Sequence, residues 1–192
     1  MQAMRFGILG AANFALGHMA PAIHAAKGAE FYALATSGAE KAARFAAFNP
    51  ALKVHSTYEA LLADPMVEAV YIPLPNHLHV EWTLKALAAG KHVLTEKPIA
   101  MAAGEIDQII AARDAAGKLA AEAYMIVHHP QWSRAKEWLE AGEIGTLRHV
   151  DAAFSFCLTD GANIRNRPET GGGVSARYWG LYLWFGAVCD IF

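Results

Sequence analysis

Short apolar runs recur along the first two thirds of the chain. Each ends in a turn rich in Gly, Pro, Asn or Asp and is followed by a longer stretch with helical spacing. Residues 5–9 read as a short buried strand, 10–13 as a tight turn, 14–27 as a helix and 30–36 as a second strand. The alternation continues with a helix over 40–48, a short strand at 51–55 and a small helix at 58–62, opened by Thr57 and stopped near Asp64-Pro65. Residues 69–72 are uniformly apolar with β-branched and aromatic members, the signature of a central strand, and Pro73-Leu74-Pro75-Asn76 ends it sharply. A helix over 77–89 closed by Gly90, a strand at 92–95, a helix over 102–116 closed by Gly117 and a strand over 119–127 complete the series. Strands alternating with helices predict an α/β fold with a parallel sheet.

The organisation changes near residue 125. A helix over 131–139 presents Trp132, Ala135, Trp138 and Leu139 on one face, and residues 147–156 alternate as a strand with an exposed face would. A polar loop over 159–173 follows. The expected division is a dinucleotide-binding domain over residues 1–124 and a partial α+β domain over 125–192.

A strand–turn–helix–strand unit at residues 5–36 is where a dinucleotide-binding fold places its phosphate turn. Gly10 matches the first glycine of that turn, Ala12 stands at the middle glycine, and Ala15 takes the helix-packing position. Ala12 adds one methyl where the backbone would approach a pyrophosphate, while the helix start still offers N–H groups to an anion. The same turn also joins strand to helix in α/β proteins that bind no nucleotide. Ligands bind beyond the C-terminal ends of parallel strands, so residues 10–13, 36–37, 73–76 and 96–97 should surround one crevice. At the end of the second strand Thr36-Ser37-Gly38 has no acid to bond a ribose or repel a 2′-phosphate, and Lys41 and Arg44 follow in the next helix. That leans towards NADP.

The charge balance, −2 over 192 residues, gives no reason to expect nucleic acid or an anionic membrane as partner. Cys157 and Cys189 lie far apart with no metal spacing, which predicts a reducing, cytoplasmic setting. The N-terminus shows no signal-peptide pattern, the apolar stretch at 178–192 is short for a membrane span, and no His/Asp/Glu spacing supports a metal site.

Several motifs in order carry a resemblance: residues 7–12 (GILGAA), 71–79 (YIPLPNHLH), 90–98 (GKHVLTEKP), 122–130 (EAYMIVHHP), 142–145 (GEIG) and 163–173 (NIRNRPETGGG). With these the sequence resembles the Gfo/Idh/MocA family of NAD(P)-dependent oxidoreductases, most of all the branch with D-xylose and dihydrodiol dehydrogenases. The resemblance implies a Rossmann domain and hydride transfer between NAD(P) and a sugar or diol hydroxyl. It implies that Gly10, Ala12, Asn13 and Phe14 hold the pyrophosphate and that Thr36 and Ser37 meet the adenosine ribose. Leu74, Asn76 and His79 would line the cofactor, Glu96 would contact the nicotinamide ribose, and Lys97 would be the catalytic lysine. The branch often carries arginine where this chain has Ser37. His129 and Arg165 are candidate substrate contacts, with packing or a charged loop tip as the alternatives; His128 and Arg167 share those alternatives. Full-length relatives are expected to form homo-oligomers.

After Gly171-Gly172-Gly173 the resemblance stops. The family pattern places an Asp where Arg177 stands and a Tyr or His where Leu181 stands. Arginine stays protonated and leucine has no proton to exchange, so neither replaces those groups. Codons exist for residues 177–189 that, read one base later, spell Asp-Ile-Gly-Val-Tyr-Ile-Ser. The expectation is therefore a change of reading frame near residue 174 and a chain cut short. A single-base change in the coding DNA that restores the pattern tests it. The rival to a dehydrogenase is a non-catalytic dinucleotide-binding protein.

Overall fold

The structure is a computed structural model that describes residues 3–151, 153, 155 and 157–172. The chain forms two compact units, Met1–Ala123 and Tyr124–Phe192. The first contains strands β1 (Met4–Leu9), β2 (Ala29–Ala35), β3 (Lys53–His55), β4 (Ala69–Ile72), β5 (His92–Glu96) and β6 (Ala120–Ala123). They form one sheet in the order β3-β2-β1-β4-β5-β6, with every neighbouring pair parallel. The chain starts in the middle, builds outward to β3, returns and builds the other half. That reversal, between β1 and β4, opens a crevice at the C-terminal ends of the strands.

Parallel neighbours need crossovers, and helices supply them. The first helix opens with an i→i+5 turn over Ala15–Met19 and continues as α1 (Ala20–Ala25). It is followed by α2 (Ala39–Phe48), α3 (Tyr58–Leu62), α4 (His79–Ala88) and α5 (Ala103–Ala116). On one face of the sheet Ile8, Phe31, Leu34 and Tyr71 pack with Ala15, Ala20 and Ile23 of the first helix and Phe45 of α2. On the other, Leu9, Ala33, Ala35, Val70, Ile72 and Val93 pack with Leu61, Trp82, Ala86, Leu87 and Ile109 of α3, α4 and α5. Two covered faces explain why β4 is apolar at all four positions and buried at all four, rather than alternating.

Local chemistry sets the helix ends. Thr57 Oγ1 accepts from the Ala60 amide, and the Glu105 carboxylate accepts from the amides of Met101 and Ala102. Gly117 ends α5 in the left-handed conformation, at φ 61°.

Three expected elements differ. The strand expected over 119–127 stops at Ala123, because its partner β5 ends at Glu96, the residue paired with Ala123. Met125–His128 is a 3-10 turn instead. The helix expected from residue 77 begins as a 3-10 turn over Asn76–Leu78 before α4. The described residues of 147–156 lie in no strand, and the described part of the second unit offers none to pair with. An unpaired strand leaves its backbone groups to water and gains nothing from a ladder.

The second unit contains α6 (Pro130–Glu140), capped by His129 Nδ1 accepting from the Gln131 amide. Trp132, Ala135 and Leu139 are half-buried along it and Trp138 is exposed. Two 3-10 turns, Ile164–Asn166 and Pro168–Thr170, shape the polar loop. A Cβ at Gly172 would lie 2.5–2.8 Å from the carbonyl oxygens of Ile164, Arg165 and Arg167, so the loop closes only on glycine. Arg177, Leu181 and the expected change of reading frame lie outside the described residues.

Candidate functional site

The turn after β1 is held from two sides. The Gly10 amide donates to the Ala35 carbonyl at 2.9 Å, tying the end of β1 to the end of β2. Gly10 has φ 94°, and a Cβ there would lie 2.9 Å from Leu74 Cδ2 and 3.3 Å from the Tyr58 hydroxyl. Leu74, from the connection after β4, therefore closes on the first turn, and only glycine fits between. Ala12 and Ala11 are half-buried, and Ala15 is fully buried against the sheet. The Leu16 amide bonds the Ala12 carbonyl at 3.0 Å. The amides that open this helix, those of Asn13 and Phe14 among them, thus have no partner within it. That is the donor set an anion at a helix start requires.

At the end of β2 the Gly38 amide donates to Thr36 Oγ1 at 3.2 Å, and Ser37 is exposed. From α2, Arg44 Nη1 donates to Asn13 Oδ1 at 3.1 Å, across the gap between the two turns.

The third wall is the connection after β4. Leu74 is 7% exposed and Asn76 2%. His79, at the start of α4, is fully buried. Its Nε2 lies 2.7 Å from the Leu74 carbonyl and its Nδ1 2.6 Å from the Pro98 carbonyl. The ring is a strut between the connections after β4 and β5. It is fully enclosed between them.

The fourth wall is the end of β5 and the residues after it. Tyr71 pairs with Leu94 in the β4–β5 ladder, and Glu96 lies two positions on, on the same face. A parallel register makes the two diagonal neighbours, within reach of an aromatic side chain. The Tyr71 hydroxyl donates to Glu96 Oε1 at 2.7 Å, and the Lys97 amide lies 3.3 Å from Glu96 Oε2. Burial first, and then the charge and hydrogen bond of Glu96, push the Tyr71 phenol far above its ordinary range. Tyr71 thus stays a donor at any working pH. Below it, Thr83 and Thr95 share a buried hydroxyl bond at 2.7 Å that fixes α4 on β5. The Lys97–Pro98 bond is cis, and the Ile99 amide donates to Glu122 Oε1 at 2.8 Å.

The structure brings Gly10, Ala12, Asn13, Phe14, Thr36, Ser37, Leu74, Asn76, Glu96 and Lys97 to one edge of the sheet. His129 and Arg165 belong to the second unit. Both are exposed there, His129 as the α6 cap and Arg165 with its amide on Asn163 Oδ1 at 3.1 Å. Sequence reading alone missed Tyr71, Tyr58 and the Arg44–Asn13 bond. Tyr71 sits in a run that reads as core, and its one signal is that a parallel neighbour brings residue 96 to its face. Among the described residues no group of three or more His, Cys, Asp or Glu could hold a metal ion, and no helix is long and apolar enough to cross a membrane.

A family model for GFO_IDH_MocA, described as an oxidoreductase family with an NAD-binding Rossmann fold, matches residues 4–124. An uncharacterised oxidoreductase of Rhizobium meliloti, ORF334, is 41% identical over 174 residues, 91% of this chain and 52% of that protein. D-xylose 1-dehydrogenase (NADP(+)) 2 of Haloferax volcanii is 41% identical over 171 residues, 88% of this chain and 52% of that protein. The crystal structure of KijD10, a 3-ketoreductase from Actinomadura kijaniata in complex with NADP, superposes with a TM-score of 0.71 at 38% identity, over 75% of this chain and 46% of that one. The chain spans about half the length of the curated relatives it matches.

Proposed function

Because the chain belongs to the Gfo/Idh/MocA family of oxidoreductases, with their NAD-binding Rossmann fold, we propose that it binds NAD(P) across the C-terminal edge of β1, β2, β4 and β5 and transfers a hydride to or from a sugar or diol. The observation that carries this reading is the closure of Leu74 on Gly10, with Glu96 and Lys97 at the end of the adjoining strand. A crevice lined by a glycine turn, a helix start and a held carboxylate fits a dinucleotide: amides for the diphosphate, a carboxylate for ribose hydroxyls.

The amides of Ala12, Asn13 and Phe14 would receive the diphosphate, and Thr36 and Ser37 the adenosine ribose. Leu74 and Asn76 form the wall, braced by His79. Glu96 would accept from the nicotinamide ribose with Oε2, its Oε1 being taken by Tyr71. The nicotinamide, when bound, supplies the carbon that takes or gives the hydride. An alcohol carbon that loses hydride also loses its O–H proton. Lys97 would hold that oxygen and take or return the proton. His129 and Arg165 are proposed to meet the sugar or diol. A sugar-class substrate is supported by the activity of the related D-xylose dehydrogenase.

One observation favours a second reading. Arg177 and Leu181 stand where the family pattern has an Asp and a Tyr or His, so the chain would bind the nucleotide without turning substrate over. Fluorescence titration of the purified chain with NADPH and NADH, followed by an aldose and diol turnover screen, separates the two. Binding with turnover supports the dehydrogenase, binding without turnover supports the second reading, and a folded protein that binds neither nucleotide refutes both.

A further inference from the structure

We propose that the Tyr58 hydroxyl donates to the 3′-oxygen of the adenosine ribose, which makes Tyr58 a further nucleotide-binding residue of this chain. The inference rests on the reading of the crevice as an NAD(P) site, and it adds a side chain from α3, an element outside the strand ends that line the crevice. In a doubly wound sheet the adenosine ribose lies at the end of the second strand, where an acid ordinarily bonds its hydroxyls. Here that end is Thr36-Ser37-Gly38, which has no acid. Thr36 Oγ1 already accepts from the Gly38 amide. A ribose placed there needs a polar partner from another element.

Tyr58 opens α3, shortly beyond His55, whose carbonyl accepts from the Thr36 amide at 3.0 Å. With the strand order β3-β2-β1-β4-β5-β6, α3 therefore starts on the β2 side of the crevice, away from Glu96 and Lys97 at the end of β5. The hydroxyl stands against the first turn: a Cβ on Gly10 would lie 3.3 Å from it. The ring is fixed before any ligand arrives. Thr57 caps α3, and the Tyr58 ring meets Trp82 of α4 edge to face, with centroids 4.8 Å apart and planes at 88°. Trp82 is itself buried, with the Lys85 ammonium 4.1 Å from its ring centre. Among the described residues the Tyr58 hydroxyl has no hydrogen-bond partner, and it is not sealed from solvent. Burial pushes the phenol above its ordinary value, so it carries its proton at neutral pH and donates. A donor already placed beside the glycine turn, with no bond to give up, loses little on meeting a ribose oxygen. The 3′-hydroxyl is the one that NAD and NADP both carry free, so the contact serves either nucleotide.

The test is a binding comparison on the full chain, wild type against Tyr58→Phe, which keeps the ring on Trp82 and removes only the hydroxyl. The probes are NADPH and NADH by fluorescence, and 5′-ADP and 3′-deoxy-5′-ADP by calorimetry. Tyr58→Phe should melt at the wild-type temperature, because the hydroxyl holds nothing in the free chain. It should weaken NADPH, NADH and 5′-ADP by a common factor of about three to ten, the size of one lost neutral hydrogen bond. Wild type should bind 3′-deoxy-5′-ADP more weakly than 5′-ADP, and that difference should shrink in Tyr58→Phe, because the two deletions remove the same bond. A merely structural hydroxyl would not couple to the ribose in this way. A variant that binds all four probes as wild type does would overturn the inference. So would a lowered Tm with losses that do not depend on the 3′-oxygen, or a 3′-deoxy penalty of equal size in both proteins. A folded wild type that binds neither dinucleotide nor 5′-ADP overturns the NAD(P) reading itself, an outcome distinct from binding that Tyr58→Phe leaves intact.

Discussion

Tyr71→Phe removes one oxygen from a side chain that is fully buried and otherwise keeps its shape. The phenol donates to Glu96 Oε1 at 2.7 Å, so the loss is a hydrogen bond to a charged acceptor, worth about 1.5–3 kcal/mol when both partners are shielded. Glu96 is only half-buried, and water can replace part of the bond. The expected destabilisation is then about 1–2 kcal/mol, which lowers Tm by about 2–8 °C in a chain of this size. A carboxylate released from Tyr71 also samples other rotamers and meets a ribose hydroxyl less often. NADPH binding should weaken about three- to tenfold. Thermal melts and fluorescence titration read the two effects. A double-mutant cycle with Glu96→Gln separates them from general damage, because residues acting through one bond couple. The double variant should bind NADPH little worse than Glu96→Gln alone. Additive losses in affinity, or a Tyr71→Phe chain with unchanged Tm and unchanged affinity, would refute a role for Tyr71 in holding Glu96.

Lys97→Met should keep nucleotide affinity within a few-fold and lower turnover, where turnover is found, by about 10²–10⁴, which a kcat measurement at saturating substrate reads. Gly10→Ala forces an L side chain to φ 94° and drives a methyl to 2.9 Å from Leu74. We expect a loss of about 1–2 kcal/mol from backbone strain alone, seen in denaturant melts, together with lost NADPH binding. Asp64 is 5% exposed. Burial by itself would raise its carboxyl, but the hydrogen bond from Lys53, the amide of Met66 and the His55 ring hold it below its ordinary value. A carboxyl depressed in the folded state stabilises above its unfolded pKa and loses that contribution as pH falls through the folded value. The stability gap between wild type and Asp64→Asn should therefore be full at neutral pH and close below about pH 4, as melts across that range would show.

How much of this could be read from the sequence depends on what fixes each feature. β4 is legible because four consecutive apolar residues followed by Pro-x-Pro fit little but a central strand, and the helices closed by Gly90 and Gly117 carry their own stop signals. The first turn, the strand ends and Glu96-Lys97 follow from the alternation of elements. The end of β6 does not, because its length is set by where β5 stops and not by its own residues. Residues 147–156 alternate correctly and still form no described strand, since a pattern specifies a face but not a partner. Tyr71 was hidden because it looks like core, and its bond to Glu96 reaches 25 positions along the chain. Arg44 was legible as a cation beyond β2, but its bond to Asn13, 31 positions away, was not.

The place of β1 in the middle of the sheet bears on how the chain is made. Phe6 pairs with Phe31 on one side and with Ala69 on the other, so the second pairing joins residues 63 positions apart. As the chain leaves a ribosome, β1, the first helix and β2 can assemble early, while the far edge of β1 waits for β4. Loop closure over that span adds modestly to the entropy cost, but non-local parallel pairing is slow to nucleate. Until residue 72 is free to pair, β1 presents an apolar strand with an open row of amides and carbonyls, the surface most prone to joining the wrong strand. The risk of misassembly is therefore greatest between the synthesis of β2 and of β4, and it ends when Ala69 and Val70 dock beside Phe6 and Gly7.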